Sequence, residues 1–287
     1  MRYMKTSKIK SATHDVFIFA RRLLCVPKCA SCGERLSPFA EDDILSHGKV
    51  CLCKNCLSAW HKAKSKMCNF CFKTADKCTC MPKKNTFMQP TIPSLFFYSP
   101  DQKLPESKAI YTLKHKRYAE LFDFVAEELA PKISDLIKEL DISPEDCVMT
   151  YIPRTKRGLK KNGFDQSELL SDKLCEKLGA AASLPLLTRN GGTEQKKLSK
   201  NKRRQNAEST LFANISMRGM KNRSQKNFAE FLSGKTVILI DDIITTGESV
   251  GRGVKVLRMA GVHTVLVASV ARCQAAKKGD KKTYKKT

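Results

Sequence analysis

The chain has 287 residues, 41% of them hydrophobic and 28% charged, which is enough for one large or two ordinary domains and too apolar for wholesale disorder. Fifty-three basic against 28 acidic residues leave a net charge of +25, which calls for an anionic partner such as nucleic acid, a phosphate-bearing ligand or acidic lipid. No apolar run approaches the ~18 residues of a membrane span. Val16-Phe17-Ile18-Phe19-Ala20, followed directly by Arg21-Arg22, is too short for a signal-peptide core, so the chain is expected to be cytoplasmic.

The charge is uneven. Residues 1–100 carry +11, residues 101–188 carry −1, residues 189–227 carry +9 and residues 228–287 carry +6. These shifts divide the chain into a basic N-terminal segment (1–24), a cysteine-rich domain (25–100), an α/β domain (101–273) and a basic tail (274–287). The tail has six lysines, one aspartate and no apolar period, so it is expected to be disordered.

Ten of the 13 cysteines lie between Cys25 and Cys80. Their spacing points to metal rather than disulfides, since nothing signals export. Cys29-x2-Cys32 followed by Cys53-x2-Cys56 is a zinc-ribbon pattern, in which a tight turn aims two thiolates at one ion. Gly33 suits the positive φ that such a turn needs. Cys68-x2-Cys71 with Cys78-x-Cys80 forms a second, tighter set. Cys25 is left over, Cys51 is an alternative to Cys53, and His47 and His61 are alternative ligands. Two structural Zn²⁺ sites are expected, because four thiolates leave no open position for a catalytic water. Phe70, Phe72, Phe87, Phe96, Phe97 and Tyr98 either pack the ribbon against the next domain, the favoured reading, or offer a stacking surface to single-stranded nucleic acid.

From Ser107 onward strands and helices alternate. Residues 107–130 form an amphipathic helix interrupted at Pro131, with helical period resuming to Asp141. Residues 147–152 form a strand, 166–178 a helix, 184–187 a short strand, 236–240 a strongly apolar strand, 248–260 a helix and 264–270 another buried strand. This alternation predicts a parallel sheet with flanking helices and ligands at the carboxyl ends of its strands. There the sequence runs Asp241-Asp242-Ile243-Ile244-Thr245-Thr246-Gly247-Glu248-Ser249. Its turn can wrap N–H groups and hydroxyls around a phosphate at a helix N-terminus, beside acids able to hold a sugar diol. Gly247, Gly251 and Gly253 have the wrong order for a dinucleotide fingerprint, and Gly158 and Gly163 lack the following Lys-Ser/Thr of a P-loop.

Val237 to Val250, VILIDDIITTGESV, closely resembles the phosphoribosyl pyrophosphate motif of type I phosphoribosyltransferases. Together with the zinc region, the chain resembles the ComF (competence protein F) family over roughly residues 27–273. The segments Thr112-Leu113-Lys114-His115, Ile152-Pro153, Gly163-Phe164-Asp165-Gln166, Arg203-Arg204-Gln205-Asn206 and Ala271-Arg272 agree. The family usually has Arg-Gly-Phe-Asn-Gln where this chain has Asn162-Gly163-Phe164-Asp165-Gln166, a change that subtracts positive charge near the expected site.

The resemblance implies a type I phosphoribosyltransferase-like sheet and the following roles. Asp241 and Asp242 hold the ribose hydroxyls. Thr245, Thr246, Gly247, Glu248 and Ser249 hold the 5′-phosphate. Arg154, Thr155, Lys156 and Arg157 form the pyrophosphate loop. Lys196, Lys197, Lys200, Arg203 and Arg204 lie on a flexible loop that closes over the ligand. Mg²⁺ accompanies phosphoribosyl pyrophosphate. The family's association with natural transformation implies DNA uptake, with single-stranded DNA and a DNA-uptake helicase or recombination proteins as partners. The alternative is a phosphoribosyltransferase of nucleotide metabolism acting on a small-molecule acceptor.

Overall fold

The computed structural model describes residues 26–36, 51–66, 93–99, 103–189, 211–213 and 231–273. In chain order these hold α1 (Lys54–Ser65), β1 (Phe96–Phe97), α2 (Pro105–His115), α3 (Ala119–Glu139), β2 (Cys147–Tyr151), α4 (Lys156–Asn162), α5 (Gln166–Leu178), β3 (Ala182–Ser183), β4 (Leu187–Arg189), β5 (Leu211–Ala213), β6 (Thr236–Ile244), α6 (Glu248–Met259) and β7 (Thr264–Arg272). Five strands form one parallel sheet in the order β1-β7-β6-β2-β3, and β4 pairs antiparallel with β5 as a separate ribbon.

The central strands are apolar on both faces, as a parallel sheet covered by helices requires. Alternation along each strand divides the core in two. Met149, Ile238, Ile240, Leu266 and Ala268 pack on one side with Leu121, Val125 and Leu129 of α3 and Leu170 and Leu174 of α5. Val148, Val237, Leu239 and Val265 pack on the other with Val250 and Leu257 of α6. Gly253 lets α6 approach closely. A Cβ there would stand 2.9 Å from Ile152 Cδ1 and 3.0 Å from Leu239 Cδ2.

From β2 the chain moves outward through α5 to β3; from β6 it moves the opposite way through α6 to β7. The adjacent strands β2 and β6 therefore flank a topological switch point, beyond whose carboxyl ends sheets of this kind form their ligand crevice.

Three expectations need correction. The long helix breaks at Lys116–Tyr118 rather than at Pro131, which sits inside α3. Buried Leu129, Ala130, Ile133, Leu136 and Ile137 carry the apolar stripe across the proline, so packing outweighs the lost hydrogen bond. Of the strand expected over 184–187 only Leu187 is in a strand, as the first residue of β4; residues 184–186 link β3, which ends at Ser183, to β4 in a different sheet. β6 extends to Ile244, so both aspartates lie within the strand and not beyond it. In addition β1, from the segment before residue 100, pairs in parallel with β7, Phe96 opposite Ala271. Phe96 is buried edge-to-face against Trp60, with ring centroids 4.8 Å apart, which fits the packing reading of that aromatic. Phe70, Phe72 and Phe87 lie outside the described residues.

Candidate functional site

The N-terminal knuckles come together. The Sγ atoms of Cys29, Cys32, Cys53 and Cys56 lie within 4.8 Å of one another, and those of Cys32 and Cys53 are 3.7 Å apart. A tetrahedron built on Zn–S bonds of ~2.3 Å has edges of about 3.8 Å, so four thiolates at this spacing fit Zn²⁺ with no open position. Gly33 takes φ +78°, and its N–H donates to the Cys29 carbonyl at 3.0 Å. Cys51 is buried outside this group and contributes its carbonyl, which accepts from the Ala30 N–H at 2.7 Å. Cys53 thus stands where Cys51 was the alternative. Cys68, Cys71, Cys78 and Cys80 lie outside the described residues, as do Cys25 and His47.

The knuckle is fastened to the α/β core by polar contacts at its rim. The Thr112 hydroxyl donates to the Ala30 carbonyl at 2.6 Å, Ser31 to the Pro105 carbonyl at 2.7 Å, and Tyr118 to the Lys28 carbonyl at 3.0 Å. On α1 the fully buried Trp60 donates its indole N–H to Glu128 of α3 at 3.0 Å, and Lys64 pairs with the same carboxylate.

At the switch point the two aspartates have different surroundings. Asp242, only 4% exposed, continues the strand face of Ile238 and Ile240 toward α5. Its Oδ2 accepts from Gln166 Nε2 at 3.0 Å and lies 3.4 Å from Lys114 Nζ of α2, while its Oδ1 accepts from the Ile243 N–H at 2.7 Å. Asp241 accepts from the Asp242 N–H at 3.0 Å. Burial, reinforced by the neighbouring Asp242 carboxylate, holds the Asp241 carboxyl well above the usual carboxylate range. Such a group is stabilised when a cation or hydroxyl donors arrive.

The loop after β2 adds a cation. Arg154 donates its Nε–H to Gln166 Oε1 and an η N–H to the Lys114 carbonyl, and its guanidinium lies 5.6 Å from the Phe164 ring centroid. Gln166 is therefore a relay, accepting from Arg154 and donating to Asp242. Asp165 is buried as the N-cap of α5, accepting from the Ser167 N–H at 3.0 Å and the Arg154 N–H at 2.6 Å. Burial raises its carboxyl above the ordinary range, against these backbone N–H groups that lower it. The expected loss of positive charge at this position has a local structural use. Thr155 caps α4 by accepting from the Gly158 N–H at 3.1 Å, and Lys156 and Arg157 are exposed on that helix. Of the four expected pyrophosphate-loop residues, only Arg154 turns toward Asp242.

Beyond β6, Thr245 and Thr246 are exposed, and Gly247 takes φ +78° as the residue before α6. The first N–H groups of a helix have no intrahelical acceptor and face the turn. The Glu248 N–H donates to Thr246 Oγ1 at 3.4 Å. Ser249 accepts from Arg189 of β4 at 3.4 Å. The Arg189 guanidinium is held below its ordinary basicity, first by burial and then by Arg252. Lys196, Lys197, Lys200, Arg203 and Arg204 lie outside the described residues.

Lys114 and Gln166 had no role assigned from sequence. Both lie inside segments that carry the family resemblance, but neither has a spacing that announces chemistry. Among the described residues no helix is long and apolar enough to cross a membrane.

No family model matches the chain. It is similar to curated proteins named DNA utilization protein YhgH. The Salmonella typhimurium protein is 25% identical over 172 residues, covering 60% of this chain and 69% of its own length. The Shigella flexneri protein is 24% identical over the same length and coverage.

Proposed function

We propose that the crevice between β2 and β6 binds phosphoribosyl pyrophosphate on a phosphoribosyltransferase-type sheet, and that the protein works in DNA utilisation on single-stranded DNA. The observation that carries the ligand reading is the unit β6–turn–α6 at the switch point. Two acids lie within a buried strand near its carboxyl end, and a Thr-Thr-Gly turn enters the N-terminus of a 12-residue helix. A phosphate fits the N–H groups of that turn, with Thr245, Thr246, Gly247, Glu248 and Ser249 around it. The ribose hydroxyls fit Asp241 and Asp242. Arg154 faces the pyrophosphate, and Lys196, Lys197, Lys200, Arg203 and Arg204 close over it. Mg²⁺, which prefers oxygen ligands and keeps several waters, would accompany phosphoribosyl pyrophosphate with few protein contacts and neutralise the pyrophosphate charge. The DNA reading rests on the names of the similar proteins and on a net charge of +25. Zn²⁺ at Cys29, Cys32, Cys53 and Cys56 is structural, and a second Zn²⁺ belongs with Cys68, Cys71, Cys78 and Cys80.

Phosphoribosyl pyrophosphate with Mg²⁺ is expected to raise the melting temperature of the full chain. Asp241→Asn with Asp242→Asn should abolish that rise. No rise in the native chain, or an undiminished one in the double variant, sinks the site. Pyrophosphate release in the presence of candidate acceptors separates a transferase from a binding protein.

A further inference from the structure

We propose that the face made by α2, the link after it and α4 is the track along which this protein holds single-stranded nucleic acid; the inference rests on the DNA reading above and gives it a location. Tyr111 on α2 is 49% exposed, although an aromatic side chain gains most by burial. Its ring meets the His115 imidazole one turn on, with centroids 4.4 Å apart and planes at 44°. His115 Nδ1 lies 3.0 Å from Asn162 Oδ1, and Asn162 donates to the Gly158 carbonyl at 2.9 Å, so the ring pair is clipped to the end of α4. The two helices therefore present one continuous surface.

The link and α4, which the rings join, carry cations. Lys116 and Arg117 of the link and Lys156, Arg157, Lys160 and Lys161 of α4 are all exposed. None takes part in the ion pairs found among the described residues. Neither α4 nor the link contains an acid, and the acids nearest in sequence to the rings and the link, Glu106 and Glu120, are half-buried. Six unneutralised charges beside an exposed ring pair match a strand whose phosphates track the cations while its bases stack. Leu159 is also exposed on α4 and adds an apolar side chain to that helix's surface. The Arg154 bond to the Lys114 carbonyl joins this face to the crevice, so a strand lying here passes the rim of the ligand site.

The test uses the full chain with a 20-nucleotide oligothymidine and an abasic strand of equal length. Tyr111→Ala should weaken oligothymidine binding roughly fivefold or more and leave the abasic strand unchanged, because stacking needs a base. Replacing Lys116, Arg117, Lys160 and Lys161 by Gln should weaken both strands, and each phosphate left without its cation should flatten the salt dependence by about 0.7. Circular dichroism melts check that the variants fold. If the native chain binds neither strand at low salt, the DNA reading falls and this inference with it. If the native chain binds and both variants bind equally well, the strand lies elsewhere, which overturns the inference and leaves the DNA reading standing. Binding to anionic vesicles without binding to oligothymidine makes the face a membrane patch and overturns it too.

Discussion

The thiolate cluster and the acid crevice both gather anionic groups, but they are assembled in opposite ways. The cluster is built from two four-residue knuckles, Cys29–Cys32 and Cys53–Cys56, each of which aims its own sulfurs. The crevice draws Lys114, Arg154, Gln166 and Asp242 from separate elements, with Gln166 and its carboxylate partner 76 positions apart in the chain. A local turn with the right spacing suffices for the first; the second exists only once the sheet has ordered its strands. The two regions also meet. Thr112, which holds the knuckle through the Ala30 carbonyl, lies two residues before Lys114, whose ammonium faces Asp242. The knuckle thus buttresses the helix that supplies the crevice with a counter-charge.

Removing the metal should be the most damaging change, because zinc binding in small thiolate sites is worth about 10–16 kcal/mol of apparent folding energy. Cys53→Ser should lower zinc content and the melting temperature sharply, whereas Cys51→Ser should keep the first ion. Equal zinc loss from the two variants would return Cys51 to the ligand set.

Asp241 provides a pH-dependent contrast. Its folded-state pKa is raised, so the folded chain holds that proton more tightly than the unfolded one. The stabilisation is complete below the ordinary carboxylate range and is lost as pH rises through the raised value. Ionisation of Asp241 therefore disfavours the ligand-free fold. Asp241→Asn should melt higher than the native chain at pH 7–8, by a margin that shrinks toward about pH 4. A margin constant with pH would mean that Asp241 does not titrate differently in the fold.

The smallest effect is expected at the joint. Thr112→Val removes one buried hydrogen bond and should cost about 1 kcal/mol or somewhat more, since the Ala30 carbonyl loses a donor. If the knuckle buttresses the crevice, the same change should also reduce the melting-temperature rise produced by phosphoribosyl pyrophosphate with Mg²⁺. A normal rise in a destabilised variant would show the two regions to be mechanically independent.

Much of this molecule was determined by the sequence alone, wherever the determinant is short in range. The cysteine knuckles, the positive φ of Gly33, the limits of α5 from Gln166 to Leu178 and the apolar run of β6 all follow from spacing, capping or period within a dozen residues. The tertiary structure decided what depends on distant partners. Phe96 becomes an edge strand because β7 lies beside it. Pro131 stays inside a helix because the core rewards the stripe on either side of it. Arg154 parts from Lys156 and Arg157 because Gln166 and the Lys114 carbonyl receive its guanidinium. Strand alternation then sends Asp242 to the face of α5, where Gln166 and Lys114 await it. Such pairings leave no period in the chain, since the energy that selects them is released only when remote segments pack.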